Sequence, residues 1–240
     1  MSGHNKWSKV KNVKGKEDAK RAKIFTKMSR AIMVAAREGG ADPDYNGNLA
    51  SVIEKAKAEN MPNENIERAL KKATGELGNS EFTSMVYEGY APEGVAVVLE
   101  VLTDNKNRTA SDVRYIFDKN GGNLGTSGSV TFQFDHKGLL VTPRAGQDEE
   151  AVMMDALDAG AEDVKSEEEV FLITTEIKDF MAVHNALQEK GYTFSSAQIA
   201  YLPKNEVEVE DPEARLKIEK LLDALEDNDD VQDVYSNYAG

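Results

Sequence analysis

Residues 137–204, KGLLVTPRAGQDEEAVMMDALDAGAEDVKSEEEVFLITTEIKDFMAVHNALQEKGYTFSSAQIAYLPK, alternate short apolar runs with helical periodicity, and their order decides the fold. Leu139 to Val141 reads as a strand, Asp148 to Ala159 as a helix and Ala161 to Lys165 as a second strand. Val170 to Thr174 is a third strand, Lys178 to Glu189 a second helix and Phe194 to Leu202 a fourth strand. The sequence is βαββαβ, the ferredoxin-like order.

Working outward toward the C-terminus, Asp211-Pro212 starts a helix carrying Leu216, Leu221, Leu222 and Leu225, and a strand near Val231 to Tyr235 follows. Glu206 to Glu210 alternates Glu with Val and reads as one more strand. Toward the N-terminus, Val95 to Leu102 is almost wholly apolar, as a strand covered on both faces would be. A helix with Val113, Ile116 and Phe117 follows and stops at Gly121-Gly122; Val130, Phe132 and Phe134 then alternate with polar residues as a half-buried strand. Joined to the C-terminal elements, these give a second βαββαβ set, with the 137–204 unit inserted in it. The simpler alternative makes the C-terminal segment an extension of the 137–204 unit.

Ahead of this, Glu17 to Glu38 reads as a helix closed by Gly39-Gly40, with Phe25, Met28, Ile32 and Ala35 on one side. Asn48 to Glu59 is a second helix, and Pro62 suits the first turn of a third that buries Ile66, Ala69, Leu70 and Ala73. Three short amphipathic helices are the minimum that enclose a shared core. The fold class expected is therefore α+β in three domains: an N-terminal three-helix domain followed by two ferredoxin-like βαββαβ domains. Their expected bounds are residues 1–78, residues 79–136 with 205–240, and residues 137–204. The linker between the first two is placed at Gly75 to Ser84.

Charge is sorted along this chain. The whole 240 residues carry a formal net charge of −14, which argues against polyanion binding on average. Residues 1–78 nevertheless balance at +6 and residues 79–240 at −20, and residues 1–30 alone hold ten basic against two acidic side chains. A basic arm on an acidic body is the sign of a nucleic-acid contact confined to one end. The candidate contact residues are Lys6, Trp7, Lys9, Lys11, Lys14, Lys16, Lys20, Arg21, Lys23, Lys27 and Arg30. Lysines on a mobile or helical support neutralise phosphates and release condensed counterions. Trp7 either stacks on an unpaired base or pins the arm to the helical core.

Other chemistries find no support in the residues. There are no cysteines, hence no disulfide, thiol nucleophile or cysteine-ligated metal. His4, His136 and His184 are too scattered for a metal site. Gly121-Gly122-Asn-Leu-Gly125-Thr-Ser-Gly128-Ser lacks the Lys of a phosphate-binding loop and runs from helix to strand, the reverse of that context. It reads as a helix stop and strand entry. Asp104 to Thr109 reads as a capped helix start, and the acidic clusters, Asp227 to Asp230 among them, as solvated helix ends and turns. No catalytic residue, cofactor or metal is assigned. No apolar run of about 18 residues could cross a bilayer, and Met1 to Lys16 has no apolar signal core.

Several motifs together resemble the YebC/PmpR family along the whole chain. They are Gly3-His4-Asn5-Lys6-Trp7, Asp18 to Arg21, Lys23 to Lys27, Asn60-Met61-Pro62, Tyr87 to Pro92, Thr103 to Thr109 and Gly121 to Gly125 with Gly128-Ser129-Val130. Asn5 departs slightly, since many members carry Ser there. The resemblance implies a three-domain bacterial cytoplasmic protein with a role in gene expression. For some members that role is DNA-binding transcriptional regulation. For others it is translation on the ribosome, including relief of stalling at consecutive prolines and, in mitochondria, activation of cytochrome oxidase subunit synthesis. The partners expected are DNA or ribosomal RNA, and the ribosome, with a protein-binding adaptor as the contrasting reading.

Overall fold

The computed structural model describes residues 17–75 and 82–240, residues 17–20 by their backbone. It contains helices α1 (Glu17–Gly39), α2 (Gly47–Ala58), α3 (Asn63–Ala73), α4 (Lys106–Lys119), α5 (Glu149–Asp158), α6 (Phe180–Glu189) and α7 (Pro212–Glu226). The strands are β1 (Thr83–Tyr90), β2 (Ala96–Thr103), β3 (Asn123–Leu124), β4 (Phe134–Pro143), β5 (Asp163–Ser166), β6 (Val170–Thr175), β7 (Ser196–Pro203) and β8 (Val231–Ser236). The fold class is α+β, with three N-terminal helices and two four-stranded sheets. The described residues form two compact units, one holding residues up to 34 with 82–135 and Tyr201–Gly240, the other residues 35–75 with His136–Ala200.

In the first unit the sheet order is β3-β1-β2-β8, and the pairings are antiparallel. β2 is buried on both faces, as its apolar run requires. Val97, Leu99 and Val101 meet Val113 and Phe117 of α4 and Ile218, Leu221 and Leu225 of α7 in one core. The strand composition differs from expectation at three places. Val130 to Phe134 is not an element of this sheet: Thr131–Gln133 is a 3-10 turn and Phe134 opens β4. The missing strand is instead β1, which starts where a linker is expected. Gly89 sits within β1 because a Cβ there would lie 2.5 Å from the Asn123 carbonyl oxygen and 2.9 Å from the Phe117 ring. The segment around Glu206 to Glu210 contributes only a bridge from Val207 to Tyr238.

In the second unit the sheet order is β5-β6-β4-β7, built from consecutive β4-α5-β5-β6-α6-β7. This is the ferredoxin-like order with the first and third strands central. Its core gathers Leu140, Phe171 and Ile173 with Val152, Ala156, Phe180, Val183 and Leu187. Gly40 ends α1 in the left-handed region (φ 95°), and buried Asn46 caps α2. The Asn46 side-chain amide donates to the Ala35 and Gly40 carbonyls, both at 2.8 Å, while its oxygen accepts the Leu49 N–H at 3.0 Å.

Candidate nucleic-acid interface

Lys20, Lys23, Lys27 and Arg30 recur at three- and four-residue spacing, so α1 carries them on one face. Lys6, Trp7, Lys9, Lys11, Lys14 and Lys16 lie outside the described residues, and Lys20 is described by backbone alone. Arg21 is exposed. The structure gathers the remaining three, Lys23, Lys27 and Arg30, onto the turn after α7 in the first unit. Lys23 Nζ donates to the Asp227 carbonyl at 3.1 Å, with carboxylate oxygens of Asp227 and Asp229 at 3.8 and 4.0 Å. Lys27 Nζ donates to the Glu226 carbonyl at 2.7 Å. Arg30 donates to the Asp229 carbonyl at 2.7 Å and to Asp230 Oδ1 at 3.1 Å.

The physical reason is the end of a helix. The last carbonyls of α7 have no partner within the helix and carry its partial negative charge. α7 has no basic residue in its own last turn, and Lys27 of α1 supplies a cation there from nearly 200 residues earlier, while Lys23 and Arg30 bind carbonyls of the turn that follows. Burial, the largest influence, holds the Lys27 ammonium below the ordinary lysine range, although Asp233, Glu226 and Asp229 pull it up.

Asp230, 5% exposed, is the centre of this junction. Its Oδ2 accepts from Arg108 and from the Thr109 hydroxyl, both at 2.7 Å, and the Thr103 hydroxyl lies 2.7 Å from Thr109 Oγ1. Burial alone would raise its pKa. The Arg108 and Thr109 hydrogen bonds and the Arg108 and Arg30 charges outweigh that and hold the carboxyl below its ordinary range. Thr103 to Thr109 thus does two jobs. Asn105 caps α4 by accepting the Arg108 N–H at 3.1 Å, as the helix-start reading expects. Thr103, Arg108 and Thr109 bind Asp230, which local sequence could not reveal because the partner is more than 120 residues away.

The glycine-rich stretch has its backbone N–H groups turned inward. Buried Glu88 of β1 accepts from Val130 at 2.6 Å, from Thr131 at 2.8 Å and from Gly128. Burial pushes the Glu88 carboxyl up, and these backbone donors outweigh it and hold it low. Donors already given to a carboxylate do not cradle a phosphate. Among the described residues no group of three or more His, Asp or Glu could hold a metal ion, and no helix is long and apolar enough to cross a membrane.

Against known proteins, two family models match. The TACO1/YebC protein N-terminal domain matches residues 5–76, and the TACO1/YebC second and third domain matches residues 82–238. A "probable transcriptional regulatory protein" of Finegoldia magna is 60% identical over 238 residues, covering 99% of each chain. One from Halothermothrix orenii is 52% identical, over 99% of this chain and 95% of its own. The crystal structure of a conserved hypothetical protein, Aq1575 of Aquifex aeolicus, is similar at a TM-score of 0.85 and 46% identity, covering 97% of this chain and 96% of that one.

Proposed function

The chain belongs to the TACO1/YebC family, and from that premise we propose that it is a non-enzymatic, nucleic-acid-binding regulator of gene expression. One observation carries the reading: ten basic side chains against two acidic within residues 1–30, on a body whose residues 79–240 balance at −20. The contact is made at the N-terminal segment by Lys6, Trp7, Lys9, Lys11, Lys14, Lys16, Lys20, Arg21, Lys23, Lys27 and Arg30. It is electrostatic, because lysines neutralise phosphate without reading bases, whereas discrimination needs forked or amide side chains against base edges. Residues 1–30 hold two arginines and no glutamine. The favoured target is therefore a structured RNA within a ribonucleoprotein such as the ribosome, in the cytoplasm. The relatives' names favour a second reading, transcriptional regulation on DNA.

Deleting residues 1–16 tests the contact. The truncated chain should bind RNA far more weakly and with a flatter dependence on log salt, about one unit of slope per lost phosphate contact. The domains beyond α1 should stay folded. Unchanged affinity and slope would take the contact away from the arm.

A further inference from the structure

Three of the α1 cations that would meet phosphate, Lys23, Lys27 and Arg30, are held by acidic chain of the same unit. We propose that the turn at residues 226–230 is an autoinhibitory clamp: a built-in competitor for the phosphates, opening from its Lys23 end and hinging at Arg30. The inference rests on the nucleic-acid reading of α1 and adds its regulation.

The contacts weaken steadily along the helix. At one end, Arg30 is bound to the Asp229 carbonyl and to the carboxylate of Asp230, and its side chain is only 20% exposed. Its guanidinium also lies 5.0 Å above the Phe82 ring. Lys27, in the middle, is half-buried and donates to one carbonyl. At the other end, Lys23 is 48% exposed, donates to the Asp227 carbonyl at a longer 3.1 Å, and faces carboxylates that are 75% and 69% exposed at 3.8 and 4.0 Å. Such exposed pairs contribute little and are screened by salt. The loose end of the face is the end that continues into Arg21, Lys20 and the basic arm.

The chemistry of exchange is direct. The turn offers each cation carbonyl or carboxylate oxygens, and a phosphate backbone offers anionic oxygens at similar distances. A polyanion engaging the arm raises the local phosphate concentration at Lys23 first. Each cation it captures trades an internal oxygen for a phosphate oxygen and releases a condensed counterion. Arg30, held by both a carbonyl and a carboxylate, is the last of the three to exchange, so the rest of α1 need not leave its domain.

The test uses the full chain and a fluorescein-labelled RNA hairpin of arbitrary sequence, at physiological salt. Asp227→Asn with Asp229→Asn should tighten binding about threefold to tenfold, the range set by two exposed pairs. Glu206→Gln with Glu208→Gln, the same charge change at exposed positions elsewhere in the unit, should shift it much less. In a Lys23→Gln background the turn variant should lose its advantage over that control. Equal shifts in the turn variant and the control would overturn the clamp. Amide hydrogen exchange of the free protein gives a readout that needs no ligand. The turn variant should speed exchange within residues 21–27 and leave 30–39 unchanged, and a flat response along α1 would overturn the clamp even if RNA binds. A wild-type chain that binds neither the hairpin nor duplex DNA at low salt would instead remove the nucleic-acid reading, and the clamp with it.

Discussion

Replacing Asp230 by Ala removes the centre of the junction between α1, α4 and the turn before β8. The side chain is 5% exposed and accepts from Arg108, Thr109 and Arg30 at 2.7, 2.7 and 3.1 Å. Breaking a buried ion pair by removing one partner costs about 3–5 kcal/mol, because the other charge is left without compensation. Here the penalty is smaller. Arg108 keeps Asp104 at 2.9 Å and Arg30 keeps the Asp229 carbonyl at 2.7 Å, so neither guanidinium is stranded. The loss is then close to that of one hydrogen-bonded charged acceptor and its packing, about 2–3 kcal/mol. At about 1.4 kcal/mol per tenfold, amide protection across β2 and α4 should fall roughly 30- to 150-fold. The second unit, residues 35–75 with 136–200, should keep its protection. The carboxyl is held below its unfolded pKa, so its contribution is complete above about pH 4 and is lost as pH falls toward the lowered native value. The first unit of the wild type should accordingly lose stability below that pH, and the Asp230→Ala protein should show less of that loss. A fall in protection of less than about threefold, or one shared equally by both units, would mean that Asp230 does not anchor the junction.

Two further outcomes follow from the packing. Gly89→Ala puts a Cβ 2.5 Å from the Asn123 carbonyl oxygen and against the Phe117 ring, so overpacking should destabilise the first unit by about 1–3 kcal/mol. Denaturant unfolding monitored in that unit checks it, and a neutral substitution would mean that β3 yields freely. Excising residues 137–204 and joining the ends with a short Gly/Ser linker should leave β1, β2, α4, α7 and β8 protected from exchange, because the first sheet draws no strand from the excised segment. Loss of protection across 83–103 and 231–236 would contradict that.

Much of this was open to reading along the chain, and what escaped did so for physical reasons. The βαββαβ order of 137–204 was legible because each element carries its own period and its own stop. β2 was legible as a strand buried on both faces. β1 was not, because Glu88 and Gly89 interrupt its pattern. Glu88 is buried to receive backbone donors from residues 128–131, and Gly89 is there to let β3 and Phe117 approach. The basic face of α1 was legible from spacing alone. Its attachment to residues 226–230 was not, since pairing across some 200 residues leaves no local signature. The same blindness made Asp227 to Asp230 read as solvated turn, when Asp230 is the best-buried carboxylate of the junction.

The proposed contact of the N-terminal segment is with phosphate backbone, by charge and shape and not by sequence. A competition titration at physiological salt tests it most directly, with the full chain bound to labelled ribosomal RNA and challenged by scrambled duplex DNA and by a promoter duplex. Structured RNA should compete effectively and the two duplexes should compete alike, with less than the ~1–3 kcal/mol per mismatched base pair typical of a specific site. A single operator that outcompetes both scrambled duplex and ribosomal RNA by about a thousandfold, the lower bound for specific over non-specific DNA binding, would contradict it.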